Sequence, residues 1–437
     1  MGFERLYGTW LPSSYEEAVE FLYAELTPAG RGQFSGADGF ERSKRYLALL
    51  GNPQDRVQAV HIAGTAGKGS ISYGVSRLLT AHGLTVGCHV SPHVYDIRER
   101  LQIDSELCGK EQFRDLLAGC LPAIRQMAGS PSGCPTFFEV TVGMAFLLFA
   151  QQGCDVAVVE TGLGGLFDTT NTITRRDKLA VISRIGLDHQ VVLGDTVELI
   201  AQQKAGILGC DRAVAARSAD DSVNQVLVQE AARHGCDLAF IPSEPGLGRA
   251  PHEAENAGLI LAAARITLAS RNRELDEAAA RTDLAASASR LPGRMEPVHG
   301  PGGEVVAVLD GAHNPLKLAA LCDSLAAQYG PEARFPWIFA CRADKAMSEM
   351  IGIIAEHASA IMFGQFAVLG GDVPVGRSAT AEQLLDAART AGAADLCQGL
   401  DVPRLVGLGR ASGSPVVVAG SFYYLADMRR AIENAVR

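Results

Sequence analysis

Residues 57–83 read VQAVHIAGTAGKGSISYGVSRLLTAHG, and the order of residue types in this stretch decides the fold. Val57 to Ala63 is an apolar, β-branched run, Gly64, Gly67 and Gly69 interrupt it, and from Ile71 to Leu79 apolar residues recur at helical spacing. The pattern is strand, glycine loop, helix. The first turn of such a helix has backbone N–H groups without intrahelical partners and lies at the positive end of the helix dipole. Glycines let a phosphate chain lie against the backbone, and Lys68 adds a full positive charge, so residues 64–70 are read as a nucleotide-phosphate site. The literal P-loop expression fails, because Gly69 stands between Lys68 and Ser70 and Gly64 comes only three residues before Gly67. A tight strand-to-helix turn is the plain alternative, and a lysine between two glycines is hard to explain as turn chemistry.

Working outward, 437 residues exceed a typical single core and suggest about two to three domains. A hydrophobic content of 47% with 20% charged residues describes an ordinary globular chain without disorder. The net charge of −10 argues against nucleic acid or an anionic membrane as partner and favours small molecules. Ten scattered cysteines, with no C-x-x-C pair and no metal-type spacing, are expected to be reduced thiols. The opening MGFERLYGTW lacks the basic-then-apolar build of a signal peptide, and the longest apolar run, Val140 to Ala150, is too short to span a bilayer. The expectation is a cytoplasmic protein.

Ser14 to Ala24 has the acidic start and apolar spacing of a helix, residues 27–39 read as loop, and a second helix runs from Phe40 to Leu50. After the Lys68 helix, Leu84 to Val90 is a strand leading to Ser91. The charged run Asp96, Arg98, Glu99, Arg100 reads alone as a solvated face, but its place after the second strand of a doubly wound sheet puts it on the phosphate-loop edge. Thr136 to Ala150 is a buried helix in which Glu139 could simply be a cap. Cys154 to Glu160 is a buried parallel strand whose acidic last residue is where a P-loop nucleotidase manages magnesium, which makes Glu160 the first metal candidate.

Leu179 to Ile185 is a further strand, leading to Asp188 and His189. A lone histidine is more often structural, but a strand end on the same edge changes that balance. The next helix is expected to start with Asp195 as cap, with Glu198 completing a capping box, and to stop at Gly206. Lys204 lies in its last turn, where the helix dipole alone could account for it. The alanine-rich stretch 211–289 has helical segments at Ser222 to Gly235 and His252 to Leu268 and little chemistry apart from Asn256. LPGRMEPVHGPGG, residues 291–303, is the best domain boundary and contains Arg294. Beyond it the α/β pattern restarts: strand Val305 to Leu309, loop Asp310-Gly311-Ala312-His313-Asn314-Pro315, a helix to about Ala327, a strand Trp337 to Cys341, and a last strand Val416 to Ala419 before a final helix. The expected fold is α/β in two domains: residues 1–293 with a P-loop-type ATPase core and mainly parallel sheet, and residues 294–437 as a smaller Rossmann-like domain.

The stretches YEEAVEFLY, LGNPQDRVQAVHIAGTAGKGS, SPHVYDIRERLQI, TFFEVT, VVETGLGGLFDTTN, ISRIGLDH, LGDTVELIAQQKAGI, LPGRMEPV, LDGAHNP and AGSFYYL occur in that order over nearly the whole chain. Together they resemble the Mur ligase superfamily and, within it, the folylpolyglutamate synthase and dihydrofolate synthase family. The resemblance implies ATP-driven amide formation, in which a substrate carboxylate attacks the γ-phosphate and an amine displaces phosphate from the resulting acyl phosphate. Phosphoryl transfer between anions calls for positive charge and metal at the bridging oxygens.

By this resemblance Gly64, Thr65, Gly67, Lys68, Gly69 and Ser70 hold the phosphates of ATP. Ser91 and Glu160 hold one Mg²⁺ and His189 a second, and Lys204 is the lysine that the family carbamylates. Asn256, Arg294, Asp310 and His313 contact the nucleotide, in a cleft between domains. Thr136, Phe137, Phe138, Glu139, Phe167, Asp168 and Thr169 face the pterin. The implied substrates are dihydropteroate, reduced folates and L-glutamate, acted on by a monomer with both activities. A folylpolyglutamate synthase lacking the first activity, or a non-catalytic Mur-like nucleotide- and folate-binding protein, are the alternatives. Two departures stand out: Ala66 occupies the place of an asparagine common in the family's loop, predicting altered ATP affinity, and Leu166 stands where a basic residue is frequent.

Overall fold

Five residues from Val156 to Glu160 are all buried, as a strand covered on both faces must be, and they form the middle of the larger sheet. The computed structural model describes residues 6, 8–26, 36–287, 291–368, 370–372, 376–397 and 399–436. Its first sheet has eight strands: β1 Gln58–Ala63, β2 Val86–His89, β3 Gln102–Ile103, β4 Glu106–Leu107, β5 Val156–Glu160, β6 Leu179–Ile182, β7 Arg212–Ala216 and β8 Asp237–Ile241. The order is β4-β3-β2-β5-β1-β6-β7-β8. From β2 to β8 all neighbours pair parallel, and only β3 and β4 are antiparallel additions at one edge.

The helices of this part are α1 Tyr15–Glu25, α2 Gly36–Leu49, α3 Lys68–Ala81, α4 Lys110–Ala128, α5 Phe137–Gln151, α6 Gln190–Leu193, α7 Val197–Ala205, α8 Asp221–His234, α9 Pro251–Ala269 and α10 Glu277–Ser287. The apolar face of α5 enters a cluster with Phe21, Tyr46, Phe113 and Phe149, and α7 and α8 enclose a second cluster against β6 and β7.

A smaller sheet holds β9 Glu296–His299, β10 Val305–Leu309, β11 Phe335–Phe339, β12 Ala358–Phe363 and a last strand, β15, Val416–Ala419, with the ladder β13 Ala367–Val368 and β14 Gly376–Arg377 apart from it. Its order is β12-β11-β15-β10-β9, parallel except for β9. Helices α11 Pro315–Tyr329, α12 Met347–Ala355, α13 Ala381–Thr390, α14 Val402–Ser412 and α15 Phe422–Val436 accompany it, around a core that includes Trp337, Phe339 and Leu321. The chain thus forms two α/β units with mainly parallel sheets. One comprises Met1–Glu244, Glu255–Asp283 and Leu369–Val375, and the other Pro245–Ala254, Leu284–Val368 and Gly376–Arg437. Among the described residues no helix is long and apolar enough to cross a membrane.

Several local expectations are corrected. The cap of α7 is Thr196, whose hydroxyl accepts from the Leu199 N–H at 3.3 Å, and the capping box of Asp195 with Glu198 does not form. The Glu198 carboxylate instead accepts from the Ser222 hydroxyl at 2.8 Å. The boundary stretch 291–303 is not all loop, because residues 296–299 add an antiparallel edge to β10. Strands β7 and β8 and helix α10 lie within the alanine-rich stretch where only two helices were expected. Of the loop expected at 27–39, residues 27–35 lie outside the described residues and 36–39 begin α2.

Candidate active site

Because β2, β5, β1 and β6 are adjacent and parallel, their carboxyl ends bring Ser91, Glu160, residues 64–70 and residues 183–189 to one edge of the sheet. The phosphate loop is held from behind. The Thr65 N–H donates to the Arg184 carbonyl at 2.8 Å, the Thr65 hydroxyl to the Gly186 carbonyl at 2.9 Å, and the Ser183 hydroxyl to the Ala66 carbonyl at 2.7 Å. Gly67 caps α3 with φ +91°, and a Cβ there would meet Asn256 Oδ1 at 2.4 Å, so glycine is required and Asn256 lies against the loop. No side chain caps this helix, and the amides of its first turn keep their orientation for an anion.

Both Lys68 and Lys204 donate to the Gly64 carbonyl, at 3.1 and 2.9 Å. Lys204 is buried at the end of α7, against the loop that follows β5. There the Leu166 N–H donates to the Gln203 carbonyl at 2.7 Å, and a Cβ on Gly165 would meet the same carbonyl at 2.7 Å. Glu160 is buried, and its Oε2 accepts from the Ser91 N–H at 3.2 Å. His189 has left-handed backbone, φ +50°, which is uncommon for a residue with a Cβ. Its N–H donates to Asp188 Oδ1 at 3.0 Å.

Further along the same unit, Thr136 caps α5 and Glu139 completes a capping box. The Glu139 carboxylate also accepts from Arg42 Nη2 at 2.7 Å and Arg42 Nε at 2.9 Å. Phe137 is fully buried against Tyr23, with ring centroids 5.0 Å apart. Phe138 is half-buried beside His89, and Phe167 meets Phe40 edge-on at 6.4 Å. Asp168 accepts from the N–H groups of Leu163 and Thr170, and burial pushes its carboxyl up against the pull of those bonds. The Thr169 hydroxyl pairs with Ser43 at 3.0 Å. The charged run 96–100 is not a solvated face. Arg100 is buried with its Nε donating to His93 Nδ1 at 2.8 Å and its Nη groups paired to Asp372, while Glu99 accepts from the N–H groups of Val94 and Tyr95.

The second unit has its own polar cluster at the carboxyl end of β10. Asp310 accepts from the N–H groups of Met295 and Ala312, both at 2.8 Å, and burial pushes its carboxyl up to about 6 although these bonds and the charges of Arg294 and Lys317 pull it down. His313 donates through Nδ1 to the Gly311 carbonyl at 2.7 Å, which leaves Nε2 to accept from the Lys317 ammonium at 3.0 Å. The Arg294 guanidinium lies over the Phe422 ring at 5.4 Å, and His313 meets the same ring at 6.1 Å.

The family described as "Mur ligase, glutamate ligase domain" matches residues 293–437. Over 96% of its length the chain is 29% identical to a Bacillus subtilis protein named dihydrofolate synthase/folylpolyglutamate synthase, all of which is covered. A Mycobacterium tuberculosis protein of the same name is 33% identical over 66% of this chain and 66% of its own. The solved structure of Mycobacterium tuberculosis folylpolyglutamate synthase complexed with ADP superposes with a TM-score of 0.78 at 27% identity, over 95% of this chain and 97% of that one. The chain belongs to the folylpolyglutamate synthase/dihydrofolate synthase family. As a member it is an ATP-dependent amide ligase of the Mur ligase superfamily.

For a ligase of this family, magnesium is tested by the chemistry of the donors. Glu160 and Ser91 offer a carboxylate and a hydroxyl at one strand edge, and the buried hydroxyl of Thr161, next in sequence, has no hydrogen-bond partner among the described residues. Hard oxygen donors of this kind fit Mg²⁺, whereas the imidazole of His189 is a softer ligand. Sequence reasoning missed Arg42, Ser183, Lys317 and Phe422. Lys317 could have been found, because it lies in the first turn of the helix that follows His313 and so close to it in the chain. Ser183 acts through its contact with backbone, which no spacing reveals.

Proposed function

We propose that the chain joins L-glutamate to dihydropteroate and then to reduced folates, as a bifunctional dihydrofolate synthase and folylpolyglutamate synthase. The observation that carries this reading is the meeting, on one sheet edge, of the phosphate loop with Lys68, the Glu160 carboxylate and the buried Lys204 amine. The substrate carboxylate attacks the γ-phosphate of ATP, ADP leaves, and the amino group of glutamate displaces phosphate from the acyl phosphate.

In that sequence Lys68 and the loop of Gly64, Thr65, Gly67, Gly69 and Ser70, with the open amides of the first turn of α3, bind the phosphates and offset their charge. Ser91 and Glu160 would hold one Mg²⁺ and His189 a second, and magnesium when bound neutralises charge at the phosphate oxygens. Lys204, as a carbamate, would orient that second site. Asn256, Arg294, Asp310 and His313 are assigned to the nucleotide, Asp310 to its ribose. Phe138 and Phe167 are assigned to the pterin ring as stacking faces, with Thr136, Phe137, Glu139, Asp168 and Thr169 supporting them. The domain division proposed is 1–293 and 294–437, in a cytoplasmic monomer.

The test is ADP release with MgATP and L-glutamate, with dihydropteroate and tetrahydrofolate compared as acceptors and products identified by mass. Turnover with both supports the bifunctional reading, and turnover with tetrahydrofolate alone assigns the narrower synthase. ATP and folate binding without glutamate addition to either removes the proposal.

A further inference from the structure

All ten cysteines are free thiols, yet two of them stand apart from the rest. Cys210 Sγ lies 3.6 Å from Cys236 Sγ, both within the buried interior. Cys210 stands two residues before β7 and Cys236 immediately precedes β8, two strands that pair parallel with Arg212 opposite Asp237. The Asp237 N–H donates to the Asp211 carbonyl at 2.9 Å, so the backbone already fixes the two chains side by side where the thiols face. Cys210 Sγ also lies 3.2 Å from the Arg212 carbonyl. We propose that Cys210 and Cys236 are a reversible disulfide-forming pair that closes the β7–α8–β8 crossover when the protein meets a hydroperoxide.

A disulfide needs the sulfurs at about 2.05 Å, and side-chain rotation of two residues on adjacent strands can bring them there. The thiols are electrically unequal. The hydrogen bond from Cys236 and the charge of buried Lys178 hold the Cys210 thiol below its ordinary value, and the bond to Cys210 pushes the Cys236 thiol up. The charge of buried Lys178 near Cys210 favours a thiolate there, so Cys210 is assigned the attack and Cys236 the resolving role. The Cys210 thiolate attacks the hydroperoxide O–O bond, giving a sulfenic acid and, with hydrogen peroxide, hydroxide. The Cys236 thiol then attacks the sulfenic sulfur and expels water, and the hydroxide takes up a proton. In total two thiols and one hydrogen peroxide become one disulfide and two waters.

The pair sits at the amino ends of the parallel strands, and the phosphate loop leaves from a carboxyl end. The bond therefore staples the fold and leaves the nucleotide edge untouched, independently of which substrate the enzyme takes.

The experiment treats the full-length reduced protein with hydrogen peroxide at neutral pH, alkylates remaining thiols in denaturant and maps peptides by mass. The expected result is loss of two alkylatable thiols, a Cys210–Cys236 linked peptide that dithiothreitol releases, and a raised unfolding midpoint. In Cys236→Ser the reaction stops at a Cys210 sulfenic acid that dimedone traps. If the half-buried Cys134 and Cys397 oxidise while Cys210 and Cys236 still alkylate in the unsubstituted protein, the proposal is overturned, whether or not the variant folds.

Discussion

Lys68 and Lys204 share one acceptor: their ammonium groups reach the Gly64 carbonyl from the start of α3 and the end of α7, at 3.1 and 2.9 Å. Two like charges converging on one oxygen repel, and a bound anion or a change of charge would relieve them. At an effective dielectric of about 20 such a repulsion is of order 3 kcal/mol. A bound polyphosphate would supply the first form of relief. Carbamylation of Lys204 would supply the second, because it turns one of the two cations into an anion.

Lys68→Ala is therefore expected to lower kcat/KM for ATP by about 100-fold or more, the scale of losing one charge-stabilising group in phosphoryl transfer. Circular dichroism should be unchanged, since among the described residues the Lys68 ammonium bonds only the Gly64 carbonyl. A loss of less than a few-fold would remove Lys68 from the phosphate site.

If Lys204 works as a carbamate, enzyme stripped of bicarbonate loses activity and regains it when bicarbonate is restored. Lys204→Arg keeps the positive charge but cannot be carbamylated, and its activity should stay low in both conditions. Activity in the unsubstituted enzyme that ignores bicarbonate would count against the modification.

Glu139 and Arg42 form a two-bonded ion pair with side chains 4% and 13% exposed. Glu139→Gln leaves the Arg42 charge without its partner, and about 3 kcal/mol of unfolding free energy should be lost. Urea denaturation measures it, and the midpoint should fall with the slope unchanged.

Burial raises the Asp310 carboxyl from 3.8 to about 6. Between those values the folded chain binds more protons than the unfolded one, so the contribution of this group to stability is largest at low pH and declines as pH rises to about 6. Two units correspond to about 3 kcal/mol. Asp310→Asn should flatten the stability profile in this window by about one proton. If the ionised carboxylate accepts from the ribose, KM for ATP should also rise as pH falls below about 6 in the unsubstituted enzyme and not in the variant.

Ala66→Asn should lower KM for ATP, because an amide would join a loop whose backbone at this position is already held by Ser183 and Arg184. Unchanged nucleotide affinity would show that the residue at 66 does not matter.

The strand ends near Ser91, Glu160 and His189 were legible because buried parallel strands announce themselves as apolar runs, and the residues at or shortly beyond the end of each run lie on one edge of the sheet. Gly67 and Lys68 were legible for the reason any exception to turn chemistry is. What stayed hidden depends on contacts distant in sequence. Arg100 looked like part of a solvated charge run because nothing nearby announces His93 as its bond partner or Asp372, far along the chain, as its counter-ion. Strand β7, RAVAA, was masked by alanine, which is depleted in strands and carries no periodic signal, and the short run DLAFI of β8 by its place inside the alanine-rich stretch.

The hydrogen bond from Leu166 to Gln203 has an evolutionary meaning as well as a mechanical one. It ties the loop beyond Glu160 to the end of the Lys204 helix through backbone atoms alone, so the link survives any change of side chain at 166. Leu166, 37% exposed, is therefore a position where the side chain can vary. Gly165 has no such latitude, and a lineage that lost it would lose the loop's seat on α7.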